Sequence, residues 1–270
     1  MMNGGNPIGR RALRAPAPAG LALRELVERF GDSLLMVVVF VAAWQAIYWI
    51  AGEIAVTSPV RTTAEAFKLL VSPDFWPNAY TTLRAVAIAL VVEVLVGLPL
   101  GALCGLNRLL GEVVEPVLTG FYAIPKIVLY PIVLMFCGIG LTSVVVFAVM
   151  HGILPIMIFT MNAVRNIKPV FRKTARTMRL STGATIRRIA LPASVPEIFT
   201  GLRLGFGSTM VGVLLSEMFG SKSGLGFMLM NAIGLNMTDR VMSLTLLLAG
   251  FAIIVNLTLL AIDKRLHRRF

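Results

Sequence analysis

Residues 162–195 read NAVRNIKPVFRKTARTMRLSTGATIRRIALPASV and form the one long polar interruption between runs of apolar residues. Eight Arg or Lys lie between Arg165 and Arg188, and no Asp or Glu occurs from Pro116 to Pro196. A segment so one-sidedly basic stays on the cytoplasmic face of a membrane, because Lys/Arg-rich loops resist translocation. Its pattern predicts two short helices. Pro169 suits a first helical turn, and Val170, Phe171, Ala175 and Met178 recur at near-helical spacing. Ser181 or Thr182 offers an N-cap for a second helix over 184–190. Leu191-Pro192 should break that helix, since proline lacks an N–H and disfavours helix in the residue before it.

The rest of the chain says what the loop is tethered to. Hydrophobic residues make up 57% of the sequence and charged residues 14%, against about a quarter charged in soluble domains; with a mean hydropathy of +0.84, this is an integral membrane protein. Runs of about 20 apolar residues mark spanning helices, and six are expected: 33–51, 79–106, 113–137, 141–161, 197–220 and 241–262. Six spans put both termini on one side. The Arg-rich start, Arg108, the central loop and Lys264 to Arg269 then share the cytoplasmic face, as the positive-inside rule requires. The organisation read from this is an N-terminal cytoplasmic arm 1–31, a six-helix membrane domain 32–266 with its central basic loop at 162–196, and a cytoplasmic tail 267–270. The arm carries no apolar core followed by a small-residue cleavage site, and its second half suits an amphipathic helix. After Ser58-Pro59, residues 62–70 place Ala64, Phe67 and Leu70 on one face, predicting a short helix at the outer interface.

The net charge of +12 does not point to nucleic acid, because the positives sit at the chain ends and in the loop without interleaved aromatics to stack bases. Cys104 and Cys137 lie inside apolar runs and read as packing residues.

Residues 175–207, ARTMRLSTGATIRRIALPASVPEIFTGLRLGFG, resemble the cytoplasmic loop and following helix of ATP-binding-cassette importer permeases of the nitrate/sulfonate/taurine type. The family pattern runs Glu-Ala-Ala, three residues, Gly, then Leu-Pro and Thr-Gly-Leu-Arg. Leu191, Pro192, Pro196, Thr200, Gly201, Leu202, Arg203 and Gly205 fit it, whereas Lys173 and Arg179 stand where the family has Glu and Gly. The resemblance covers roughly 59–266. It implies an all-α membrane protein with type I importer permease architecture, a homodimer bound to two ATPase subunits inside and a periplasmic solute-binding protein outside, in a bacterial inner membrane. It implies that Lys173, Arg176, Arg179, Ser181, Gly183, Arg187, Arg188, Leu191 and Pro192 dock on the ATPase. It also implies a small polar or anionic nutrient as solute.

Several intramembrane residues are candidates for the mechanism. Gly97, Gly101 and Gly105 share a helix face, and small residues at that spacing let helices approach closely, within one subunit or across a permease dimer. Gly201, Gly205 and Ser208 make a second narrow seam. Lys126 falls near mid-depth of the third span, where an ionisable group is costly and implies function; Pro125 and Pro131 beside it free backbone carbonyls that need cover. Glu93 falls at a matching depth, so the two are expected to pair, as a gate or as a static bridge. His151 and Glu217 are further candidates for the translocation path, His151 otherwise being a packing residue and Glu217 otherwise snorkelling to water. Arg203 is expected to bond loop carbonyls or a partner subunit.

No catalytic constellation is present. The Gly-x4-Gly-Lys-Ser/Thr phosphate loop is missing and only two histidines occur, so the chain is read as no enzyme and as holding no cofactor or metal, with ATP and Mg on a partner. A secondary transporter or channel would need inverted repeats or a charged relay, and a membrane scaffold would stimulate an ATPase without moving solute.

Overall fold

The computed structural model describes residues 19–53, 55–167, 177–179, 181, 184, 188 and 191–269. Among the docking candidates, Lys173, Arg176, Gly183 and Arg187 lie outside the described residues. The chain divides into two compact units, Met1–Pro59 and Val60–Phe270.

In the first unit, α1 (Ala19–Ala51) is one helix running straight through the arm boundary expected at residue 31. Its stretch Leu34–Ala51 is long and apolar enough to span a bilayer. Gly52, at φ +78°, ends it in the left-handed conformation that glycine reaches without a Cβ penalty. Trp44 Nε1 donates to Thr57 O at 3.0 Å and Tyr48 OH to Glu53 at 3.1 Å, tying the helix end to the turn that follows.

The second unit opens with α2 (Pro59–Val71), the short helix expected from the pattern at 62–70. α3 (Phe75–Leu106) ends at Asn107, whose side chain accepts from Leu109 N and Leu110 N and so caps α4 (Arg108–Ala123). Next come a 3-10 turn (Lys126–Leu129), α5 (Tyr130–Cys137) and α6 (Leu141–Arg165). Beyond the basic loop lie α7 (Leu191–Gly220), α8 (Leu225–Gly234) and α9 (Thr238–Arg269).

The straight third span expected over 113–137 is not found. α4 and the Lys126–Cys137 segment meet at 89°. Pro125 forces Ile124 into extended backbone (φ −70°, ψ 131°), since an α conformation there would clash with the proline ring. Leu191-Pro192 opens α7, because proline in a first turn forfeits only an N–H that has no intrahelical partner; residues 189 and 190 before it lie outside the described residues.

Whether the bent segment crosses the membrane follows from its neighbours. A Cβ on Gly97 would meet Ile153 and Ile156, one on Gly101 would meet Met157 and Thr160, and one on Gly105 would meet Met161 and Val164. Both numbers rise together, so α3 and α6 run parallel. The chain between them must therefore return from one end of the pair to the other, which makes α4, the turn and α5 a single broken crossing. Five unbroken candidate spans and this one give six.

α7 runs against α6 in the opposite sense: Gly201 faces Phe159, Gly205 faces Ile156 and Gly152 O, and Gly212 faces Ala148 and His151. Ser208 is not at this contact: Thr209, whose hydroxyl meets Gly152, carries the seam on towards Gly212, while half-buried Ser208 faces a pocket lined by α7, α8 and α9. The glycine stripes of α3 and α7 thus both clasp α6, with the basic loop joining the adjacent ends of α6 and α7.

Candidate functional site

Glu93 sits where α3, α6 and α7 meet and is fully buried. Thr209 Oγ1 lies 2.8 Å from each of its carboxyl oxygens and 2.8 Å from Gly205 O. The single Thr209 hydroxyl hydrogen is shared among these acceptors. Room for both side chains comes from Gly152, where a Cβ would run into the Thr209 hydroxyl and the Glu93 carboxyl.

The expected Lys126–Glu93 pair is not formed. Glu93 turns to Thr209, while the Lys126 ammonium lies 3.4 Å from Tyr122 O and 5.0 Å from the centre of the Tyr122 ring. The depth count assumed a straight third span, and the break at Pro125 places Lys126 on a turn instead. Lys126 is largely buried, yet among the described residues its one hydrogen bond goes to the helix immediately before it. Two of its three N–H donors are left for water or a ligand.

His151 stands on the flank of α6 next to Gly152. Its Nδ1 lies 3.0 Å from Phe147 O, so that nitrogen carries the hydrogen, and its ring tilts against Phe147 at 4.6 Å between centroids. Phe147 in turn packs edge-on against Tyr130 at 4.8 Å, and Tyr130 OH donates to Ser216 O at 2.8 Å. The turn carrying Lys126 is thereby pinned to α6 and α7 through α5.

Glu217, near the other end of α7, does not snorkel: it is 1% exposed. Its Oε2 accepts from Thr82 Oγ1 at 2.8 Å and from Gly226 N at 2.9 Å. Leu225 N donates to the same Thr82 oxygen at 2.8 Å, and Gly224 N donates to Asn78 Oδ1 at 2.7 Å. Three side chains from two other helices thus satisfy the first backbone N–H groups of α8, with a carboxyl at the positive end of the helix dipole. Gly224, at φ +111°, is required twice over, since a Cβ there would also strike the Glu217 carboxyl. Sequence reading missed Asn78, Thr82 and Thr209; the available signal was a short hydroxyl or amide residue inside an apolar run.

At the loop end, Arg203 reaches across to α9. Its Nε lies 3.5 Å from Asp263 Oδ2, while Thr200 Oγ1 and His267 Nδ1 lie 3.1 and 3.2 Å from Asp263 Oδ1. The start of α7 is so tied to the end of α9. Arg165 Nη1 donates to Glu115 Oε2 at 2.8 Å and Ser194 Oγ donates to Ala163 O at 3.1 Å, fixing both stems of the loop. Ser181 Oγ accepts from Ala184 N at 3.3 Å, as an N-cap does. Arg179, standing where the resembled pattern has Gly, has φ +47°. A side chain there costs about 1–2 kcal/mol, which accounts for glycine in that pattern.

Residues 97–270 match the model of the family described as "Binding-protein-dependent transport system inner membrane component". The taurine transport system permease protein TauC of Escherichia coli is 25% identical over 82% of this chain and 84% of its own length. The nitrate import permease protein NrtB of Synechococcus elongatus is 27% identical over 72% of this chain and 73% of its own. Among solved structures, an inward-facing MetNI methionine ABC transporter gives a TM-score of 0.63 at 20% identity, covering 70% of this chain and 94% of that one. The fold is that of a type I importer permease.

Proposed function

Since the chain belongs to the binding-protein-dependent transport system inner membrane components and is a permease subunit of an ABC importer, we propose that it forms the path for a small anionic nutrient of the sulfonate, taurine or nitrate kind. Lys126 carries this reading: a buried ammonium at a break in a span, with a single hydrogen bond to its own segment, suits an oxyanion. The names of relatives that handle taurine and nitrate support the same solute class.

In this reading two copies of the chain pair in the inner membrane with the basic loop and both termini in the cytoplasm, and a periplasmic solute-binding protein delivers the solute to the opposite face. Two ATPase subunits hold ATP and Mg²⁺ and dock on the loop through residues including Arg179, Ser181, Arg187, Arg188 and Pro192. Closure of the ATPase pair pulls on α6 and α7, whose adjacent ends the loop joins. The glycine seams pass that motion to α3, because close-packed helices transmit displacement instead of absorbing it.

The test is uptake of labelled taurine, an alkanesulfonate or nitrate into proteoliposomes holding this chain, its co-encoded ATPase and its binding protein. ATP-dependent accumulation of one of these anions, lost in Lys126→Met, is the expected result. Accumulation driven by an ion gradient without ATP, or import of a cationic solute, would overturn the proposal.

A further inference from the structure

Near the α8 cap, α2, α3, α7, α8 and α9 enclose a cavity of about 230 Å³ walled by Phe75, Ala79, Met210, Leu225 and Leu248 among others. That exceeds the roughly 150 Å³ of an engineered apolar cavity that stays dry and takes up benzene, and it is far above the voids usual in protein interiors. Two polar side chains reach its wall, and both are committed. Thr82 serves Glu217 and Leu225 N, and Trp76 Nε1 donates to Leu70 O at 2.9 Å. Water or a polar solute would find no hydrogen bond there.

The opening decides what can enter. Among the lining residues, Trp76 and Leu83 of α3 are 61% and 43% exposed, and Leu247 and Phe251 of α9 are half-buried. α3 and α9 share little direct packing, so the mouth lies between them. Both are spanning helices, which means the cavity opens sideways into hydrocarbon. Trp76, second residue of α3, stands at the rim where an indole marks headgroup level.

We propose that this cavity holds one acyl chain of a bilayer phospholipid, its headgroup beside Trp76 and its methylenes against Met210 and Leu225. The driving force is not hydrophobic transfer, because lipid is as apolar as the cavity. It is the dispersion contact that an empty void denies to its lining. Thr82 and Leu225 belong both to the cavity wall and to the α8 cap, so an occupied cavity braces α8 and an empty one leaves it free to shift.

The test uses the full permease purified with its ATPase subunits in nanodiscs of phosphatidylcholine bearing a mid-chain diazirine. After photolysis, label is mapped by peptide mass spectrometry. Met210 and Leu225 are nearly inaccessible from outside, so lipid merely surrounding the protein does not reach them, whereas exposed Leu95 and Val96 report that surrounding lipid. Label on Met210 and Leu225 is expected in wild type. It should fall at least fivefold in Ala79→Leu, which fills the cavity, and in Leu83→Trp, which narrows the mouth without touching the core, while label on Leu95 and Val96 holds. Equal core labelling in wild type and Leu83→Trp, no core labelling in wild type, or displacement of the label by free oleate alone would each overturn the proposal.

Discussion

The clasp of α3 and α7 around α6 and the broken segment from Arg108 to Cys137 treat intramembrane polar groups in opposite ways. In the clasp, each buried carboxyl meets a hydroxyl from another helix: Glu93 meets Thr209, and Glu217 meets Thr82 with the N-terminus of α8 in addition. At the break, among the described residues, Lys126 bonds a carbonyl and lies over a ring of the helix before it. Polar groups matched across helices fix a structure. One matched only within its own segment keeps donors free for something that comes and goes.

The comparison breaks first at the glycines. Gly101→Leu would set its Cβ 2.7 Å from Met157 O and 2.9 Å from Thr160 Cβ. Backbone cannot yield there as a side chain tip does, so the cost exceeds the usual 1–3 kcal/mol of about one overpacked side chain. Size-exclusion chromatography should show no folded complex. A normal profile would mean that α3 and α6 are not meshed there.

Next in size is Lys126→Met. It should raise the apparent KM for an anionic solute about tenfold or more, the equivalent of a charge-assisted hydrogen bond worth about 1.5–3 kcal/mol, with the complex still assembled. A destabilised protein with unchanged KM would move Lys126 into the structural group with the carboxyls.

Thr82→Val removes one acceptor and one donor from the α8 cap and should cost about 1–2 kcal/mol, as lost caps do, read as a lower midpoint of thermal unfolding in detergent. Glu93→Gln should cost less still, since an amide oxygen can still accept from the Thr209 hydroxyl. Combining it with Lys126→Met should give additive effects within about 0.5 kcal/mol, whereas a strong coupling would restore the pair that the geometry separates.

The smallest expected effect is Arg179→Gly, which relieves a left-handed backbone and should stabilise the loop by about 1 kcal/mol, seen as slower proteolysis there.

The distribution of these effects explains what the sequence could convey. Apolar run length is an average over twenty residues, so the count of spans and the place of the basic loop between the fourth and fifth of them were readable. The stripe at Gly97, Gly101 and Gly105 was readable as a close contact, but spacing alone carries no address, so only the structure identified α6 as its partner. Lys126 was visible as an exception to composition. Its partner was misjudged because a depth count treats a helix as a rod, and Pro125 had already been read as freeing carbonyls without being read as a corner. Glu217 illustrates the remaining difficulty. Its role comes from backbone N–H groups at Gly226 and a hydroxyl 135 residues away, and backbone donors leave no trace in residue identity.

The glycine mesh also has a mechanical consequence. Gly97, Gly101 and Gly105 engage α6 once per turn, like teeth of a rack, and a rack slips only by whole teeth. The smallest slide of α3 along α6 that re-engages the glycines is one four-residue tooth, about 6 Å at 1.5 Å per residue. Smaller strokes are therefore carried by the three clasped helices as a single stiff block, and the compliance of the machine resides at the corner after Ala123.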